Sequence, residues 1–260
     1  MGGVTPDLSA VLRPVPDWLV LNPALDPAAE AARFAAGGRI HIRNILTRDA
    51  ANRIHRSLAS EGEWARSTIH QGQPRDFALE YLETLAAPAA AERRADLEDR
   101  ARRGFQYEFD NFRLSMAMLA GARSGWTYES VFDLVNGPDF LGFVRKVTGD
   151  DRIVFADAQA TRYRAGHFLT SHDDDQPGMD RLYAYVLNFT PVWRPDWGGL
   201  LAFIDEDGNI EQAFKPTFNA LNIFRVPTQH TVTEVASFVD ADRLSITGWL
   251  RSSADPVAAA

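Results

Sequence analysis

Arg243–Leu250 reads RLSITGWL. Successive side chains of an extended strand point to opposite faces, so Arg243, Ser245, Thr247 and Trp249 share one side while Leu244, Ile246 and Leu250 share the other. The first side is polar and suits the wall of a cavity. The second is apolar and suits a covering layer of helices. Upstream lie IVFADAQATRY (153–163), RLYAYVLNF (181–189), LLAFI (200–204), ALNIFRV (220–226) and HTVTEV (230–235), all short and rich in β-branched and aromatic residues. Turn clusters separate them: DDDQPGMD (173–180), RPDWGG (194–199) and DEDGN (205–209). Many short strands without interleaved helices predict a sandwich or a jelly roll.

The first half of the chain reads differently. Residues up to about 38 are rich in Pro and Ala, with one short helix expected over Pro27–Ala36. RIHIRNIL (39–46) alternates like a strand, and Thr47 suits an N-cap for a helix that carries Ala51, Ile54 and Leu58 on one face and ends at Gly62. The alanine-rich, charged segment 86–103 has Leu97 as its only large apolar residue. It reads as a solvated helix with i,i+4 ion pairs, or alternatively as a mobile lid over an active site. Tyr128, Val131, Phe132 and Val135 mark a helix broken at Asn136-Gly137-Pro138. Pro138 opens another, with Phe140, Leu141, Phe143, Val144 and Val147, that ends near Gly149. No internal repeat and no linker divides the halves. The expectation is one compound α+β domain over 1–260: mostly helical support in 1–150, a jelly-roll core in 151–252, and a frayed tail in 253–260.

Composition narrows the function. The chain has 260 residues, 27 Lys and Arg against 35 Asp and Glu, and a net charge of −8. That balance, without a basic stripe, argues against nucleic-acid or anionic-membrane partners. Cysteine is absent, which removes disulfides, thiolate zinc sites, iron–sulfur clusters and cysteine nucleophiles. The N-terminal MGGVTPDLSAVL lacks the basic start and apolar core of a secretory signal, and no apolar run is long enough for a bilayer. A cytoplasmic location is the resulting expectation.

Two further motifs carry chemistry. SHDDD (171–175) contains a His-x-Asp pair, and TQHTV (228–232) supplies a distant histidine. If the first motif is a strand, His172 and Asp174 face the same way, which selects Asp174 over Asp173 and Asp175. Two imidazoles and one carboxylate bind one face of a ferrous ion and leave the other positions open for oxygen chemistry. The competing reading of the triplet alone is a turn-stabilising aspartate cluster beside a surface histidine. Arg243 shifts the balance, because a buried guanidinium on a cavity-facing strand needs an anion. A carboxylate held bidentately fits it, so a dicarboxylate co-substrate is expected, with a structural ion pair as the alternative. Of the other histidines, His167 reads as a surface or supporting residue, His41 sits in an early strand, and His55 and His70 have no evident partner.

Residues 159–251 resemble the catalytic core of the 2-oxoglutarate- and iron(II)-dependent dioxygenases, and within them the prolyl hydroxylases, including those that modify a ribosomal protein. YRAGHFLTSHDDD (163–175) is similar to the segment leading into the His-x-Asp pair, and DWGGLLAF (196–203) to a Gly-Gly turn into a core strand. NIFRVPTQHTVTEV (222–235) is similar to the distal-histidine strand, and RLSITGWL to the closing arginine strand. The resemblance implies a double-stranded β-helix, the cupin-like form of the jelly roll. It implies that His172, Asp174 and His230 ligate Fe(II) and that Arg243 holds the distal carboxylate of 2-oxoglutarate. Tyr163, Thr247 and Trp249 would line the same pocket. The family often has a tyrosine on the RLYAYVLNF strand that also contacts 2-oxoglutarate. Here the register turns Val186 and Asn188 inward and leaves Tyr183 and Tyr185 outside, so Asn188 stands as the substitute. The implied activity uses O2, with ascorbate as a further candidate cofactor. It hydroxylates a C–H bond, that of a prolyl residue in a protein or peptide, and yields succinate and CO2. Asp174 favours hydroxylation over halogenation, since halogenating members lack this carboxylate. The alternatives are a hydroxylase of small molecules or free amino acids, and a non-catalytic metal-binding jelly roll.

Overall fold

The structure, a computed structural model, describes residues 8–254. Most of the expected tail, from residue 255 onward, lies outside the described residues, as does the start of the chain. The first half opens with helices α1 (Leu8–Val11) and α2 (Pro27–Gly37), strand β1 (Arg39–Arg43) and helix α3 (Arg48–Ser60). Asp26 caps α2 by accepting from the Ala28 and Ala29 amides. Thr47 precedes α3 as expected but makes no side-chain capping bond, and α3 closes at Glu61 rather than Gly62.

A hairpin follows, of β2 (Ala65–His70) and β3 (Gln73–Ala78), then α4 (Leu79–Glu83), α5 (Ala87–Arg103), β4 (Tyr107–Phe112) and α6 (Leu114–Leu119). These three strands have no counterpart in the sequence reading. β3 is exposed at almost every position, and β4 buries Glu108, Asp110 and Asn111 in its middle, so neither shows an apolar alternation. The helix expected around Tyr128 splits into a 3-10 turn, Thr127–Glu129, and α7 (Ser130–Val135). α8 (Pro138–Thr148) ends on Gly149, which takes the left-handed conformation at φ 69°.

The second half is β throughout: β5 (Phe155–Ala156), β6 (Gln159–Tyr163), β7 (Phe168–His172), β8 (Arg181–Asn188), β9 (Leu201–Ile204), β10 (Ile210–Phe214), β11 (Ala220–Arg225), β12 (His230–Val232) and β13 (Arg243–Arg251). Antiparallel pairing runs β1-β11-β8-β13-β6-β4-β7-β12-β9-β10, a jelly-roll order in which β1 from the first half extends one edge and β4 joins β6 to β7. The result is an α+β fold with a barrel-like antiparallel sheet and N-terminal helices.

The two-sided pattern of the strands explains the layers. Leu244, Ile246 and Leu250 of β13, with Tyr183, Tyr185 and Leu187 of β8, share one core with Ile54, Leu58, Phe132, Phe140 and Val144 of the helices. Each such side chain taken from water contributes about 1.5–3 kcal/mol, which is what fastens the helices to the sheet. The opposite face of the same strands turns into the barrel. There Ala184 and Val186 pack with Leu201, Phe203 and Phe224, with Trp249 beside them. Tyr183 and Tyr185 thus lie outside the barrel as expected, but buried, donating to Asp150 and to the Asp157 carbonyl.

Helix α5 makes the predicted i,i+4 pairs Arg94–Glu98, Arg100–Asp96, Arg102–Glu98 and Arg103–Asp99. Its buried contact is Leu97, and Arg93 ties it to Glu108 of β4 at 2.5 Å. It packs against β2.

Candidate metal and co-substrate site

Pairing of β7 with β12 places His172 opposite His230, with ring centroids 4.1 Å apart. Each ring bonds the carbonyl two residues before it through Nδ1: His172 to Thr170 at 2.9 Å, and His230 to Thr228 at 2.8 Å. A carbonyl can only accept, so both Nδ1 atoms carry the hydrogen and both Nε2 atoms present a lone pair. The Asp174 carboxyl closes the group, with Oδ1 at 3.3 Å from His172 Nε2 and Oδ2 at 3.4 Å from His230 Nε2. Ligand atoms from all three residues lie within 4.8 Å of one another.

Electrostatics suits this set to a cation. Burial, and then the neighbouring His172, lower His230 to about 4, so its ring is neutral near pH 7 and free to ligate. Burial pushes the Asp174 carboxyl up, and His172 and His230, when they carry a proton, pull it down by more, so the net direction is down. Two lone pairs and a carboxylate converging on one point repel each other unless a positive charge lies between them. Two histidines and one carboxylate are the donor set that ferrous ion accepts while keeping open positions.

The residues expected to converge do so, but not through strand alternation. β7 stops at His172, and Asp174 sits beyond it in the left-handed region at φ 64°. A turn delivers the carboxylate: Asp173 Oδ1 accepts from the Asp175 amide at 3.0 Å, and the Asp173 carbonyl accepts from the Thr228 amide. Aspartate tolerates this backbone region better than most residues because its short side chain bonds locally.

Arg243 is 2% exposed, and its Nε has no hydrogen-bond partner. Among the described residues no carboxylate offsets its charge; burial lowers its pKa, and the group beside it is Tyr163, with the guanidinium carbon 4.9 Å from the ring centroid. The expected alternative, a structural ion pair, is therefore not what the fold provides. Tyr163 stacks on Phe109 at 5.0 Å, and burial raises its hydroxyl above the ordinary range. An orphaned buried guanidinium fits the distal carboxylate of 2-oxoglutarate. Next along β13, Ser245 bonds Thr161 at 2.7 Å, and Thr247 is within 3.4 Å of Gln159 Nε2. Asn188 pairs with Ser245 in the β8–β13 ladder; its amide nitrogen donates to the Ala220 carbonyl at 3.3 Å while its Oδ1 is unpartnered.

Beside the triad opens a cavity of about 520 Å³. His172, Asp174, Thr247 and Trp249 line it, together with residues that the sequence reading missed: Phe105, Tyr107 and Phe109 from the β4 region, Ser67 and Pro74 from the hairpin, and Asp157 and Arg181. None of its lining comes from α5, so the lid alternative for that helix has no support here. A larger cavity, about 640 Å³, lies between the N-terminal segment and α3, and it contains no member of the triad.

The remaining histidines stand apart from the metal ligands. His167 is buried rather than on the surface, accepting from the Arg164 amide at 3.1 Å. His41 Nδ1 meets Asn222 Oδ1 at 2.6 Å, His70 lies 3.3 Å from Asp96, and His55 packs edge-on to Phe218.

Comparison with known proteins agrees with this geometry. Residues 158–251 match the 2OG-Fe(II) oxygenase superfamily. Prolyl 3-hydroxylase OGFOD1 of Mus musculus is 34% identical over 118 residues, which cover 43% of this chain and 21% of that protein. This chain therefore spans about a fifth of the length of that relative. Among solved structures, a 2OG-Fe(II) oxygenase family oxidoreductase from Burkholderia pseudomallei aligns with TM-score 0.56 at 15% identity, over 89% of this chain and 94% of the other. A prolyl hydroxylase from Trichoplax adhaerens, in complex with a hypoxia inducible factor peptide fragment, aligns with TM-score 0.52 at 14% identity, over 87% and 89%. A Pseudomonas putida prolyl-4-hydroxylase gives 0.50 at 18%, over 87% and 98%. At these identities the structures speak for the fold alone. By the sequence match, the barrel and the His-Asp-His group, residues 158–251 are thus similar to the 2OG-Fe(II) oxygenase superfamily, a likeness that implies Fe(II) as cofactor and 2-oxoglutarate as co-substrate.

Proposed function

We propose that the protein hydroxylates a C–H bond of a prolyl residue in a protein or peptide, with His172, Asp174 and His230 holding Fe(II) and Arg243 holding 2-oxoglutarate. The observation that carries the co-substrate assignment is the buried, unpartnered guanidinium of Arg243 against Tyr163. When bound, Fe(II) supplies the means to activate O2, so that one oxygen atom enters the substrate C–H bond and the other enters succinate as 2-oxoglutarate loses CO2. Everything else falls to the chain. The two Nδ1–carbonyl bonds fix the imidazole orientations, and the turn brings Asp174 up beside them. Tyr163 and Thr247 are assigned to the co-substrate pocket, and Asn188 Oδ1 to its margin. The aromatic wall of Phe105, Tyr107 and Phe109 provides an apolar surface for a pyrrolidine ring beside His172. A wide cavity bordered by a hairpin suits an extended chain better than an enclosed metabolite.

The test is an incubation with Fe(II), 2-oxoglutarate, ascorbate and a panel of proline-containing peptides. The expected result is peptide-stimulated succinate formation matched by the gain of one oxygen atom in the peptide, both lost in Asp174→Ala. Succinate stimulated by free amino acids and not by peptides would move the reading to a small-molecule hydroxylase. Iron binding without any succinate would reduce the protein to a metal-binding jelly roll.

A further inference from the structure

Arg181 opens β8 and lines the substrate cavity, which also contains Asp157, Asp173, Asp174 and Asp175. It forms an ion pair with none of them. Its Nη1 instead donates to the backbone carbonyl of Asp174 at 3.1 Å, its guanidinium carbon lies 3.5 Å from the Trp249 ring centroid, and its Nε is unpartnered. A flat guanidinium stacked on an indole is held in orientation as well as in place. Trp249 in turn is fixed in β13, opposite Ala184 of β8. Its buried indole Nε1 has no hydrogen-bond partner, and the residue lines the same cavity as Asp174.

Asp174 is the ligand that most needs such support. His172 and His230 each belong to a strand, whereas Asp174 lies past the end of β7 in a left-handed conformation. A backbone in that region is retained by non-glycine residues only when its surroundings hold it. Arg181 grips the backbone of this residue, and Trp249 holds the Arg181 guanidinium flat beneath it. We propose that Arg181 is a positioning residue for the metal site, and that the stacked Arg181–Trp249 pair, rather than strand β7, sets where the Asp174 carboxylate points. This inference rests on the reading of His172, Asp174 and His230 as the metal ligands.

The experiment uses the full chain without iron, titrated anaerobically with Co(II) and followed by its visible absorption bands, with melting temperature recorded alongside. Arg181→Met keeps an apolar stem over Trp249 but removes the charge and the donor. It is expected to weaken Co(II) binding about 10–100-fold, the usual cost of losing a group that orients a metal ligand, and to shift the bands at saturation. Arg181→Lys, which restores a cationic donor, should recover part of both. Trp249→Phe, which keeps a stacking ring and loses the N–H, should shift the bands with a smaller loss of affinity. A purely structural role would lower the melting temperature and leave the bands of the folded, saturated protein unchanged. Wild-type affinity and bands in Arg181→Met overturn the proposal. If that variant does not fold, wild-type behaviour of both milder variants overturns it equally. Failure of the unaltered protein to bind Co(II) would instead sink the metal-ligand reading itself.

Discussion

The guanidinium of Arg243 lies over the ring of Tyr163, 4.9 Å from its centroid, with no carboxylate among the described residues to offset its charge. A buried cation in that state is costly until an anion arrives, so much of the affinity for a dicarboxylate is prepaid by the fold. Arg243→Met should remove this cost and the binding together. Breaking one side of a buried pair costs about 3–5 kcal/mol, which predicts a fall in 2-oxoglutarate affinity on the order of 10²–10³-fold. The melting temperature should be equal to or above wild type without ligand, and that of the Mn(II)-loaded variant should no longer rise when 2-oxoglutarate is added. A ligand-dependent rise that survives in the variant would show that Arg243 is not the anchor.

Gly248 makes a different prediction. It sits on β13 between the cavity residues Thr247 and Trp249, and a Cβ there would lie 1.9 Å from the Asp157 carbonyl oxygen. That oxygen also accepts from Tyr185 at 2.6 Å, while the Asp157 amide donates to the Trp249 carbonyl at 2.9 Å. The loop is pinned from two strands and cannot retreat cheaply. Gly248→Ala should therefore destabilise the protein by about 1–3 kcal/mol, read as a lower urea midpoint. A wild-type midpoint would mean that the loop yields freely.

How much of this was legible beforehand differs from residue to residue. β13 was readable because its two faces meet two chemically distinct surroundings, and the alternation of RLSITGWL records both. The three ligands are legible as residues, yet no continuing strand presents Asp174: its carboxylate is delivered by a turn at φ 64°. Alternation and an αL turn happened to select the same aspartate. The hairpin β2–β3 and strand β4 left no such record. Their order comes from pairing with each other and from buried charge, with Asp110 accepting from Arg66 at 2.6 Å and from Arg162 at 3.0 Å. A strand stabilised by ion pairs on a buried face looks polar in sequence. Arg181 was hidden for a related reason, because its partners are a carbonyl and an indole ring rather than a charge-complementary neighbour in the chain.

Phe105 tests the substrate side of the cavity. It is 48% exposed, and its ring lies 5.3 Å from that of His172. A solvent-facing aromatic this close to the metal ligands contributes little to folding, so Phe105→Ala should change stability by no more than about 0.5 kcal/mol. Peptide-stimulated succinate formation should need several-fold more peptide for half-saturation, while turnover of 2-oxoglutarate without peptide stays at the wild-type rate. Unchanged peptide dependence would move the binding surface elsewhere.

His167 gives the protein a pH dependence separate from the metal ligands. It is 3% exposed, packed near Arg66, Asp110 and Glu108, and burial followed by the Arg66 charge lowers it to about 4 from an ordinary 6.5. The folded state holds this ring neutral while the unfolded chain protonates it, so between pH 6.5 and 4 the unfolded state binds more protons. Stability from this group is therefore fully present above pH 6.5, is lost as pH falls toward 4, and changes no further below that. At 1.36 kcal/mol per pKa unit, the drop from 6.5 to about 4 corresponds to roughly 3 kcal/mol. His167→Asn retains an acceptor for the Arg164 amide without a titrating ring. Urea unfolding of the two proteins across this range should therefore diverge, with the wild type losing more stability on the acid side. Parallel curves would mean that His167 takes up its proton in the folded state as readily as in the unfolded chain.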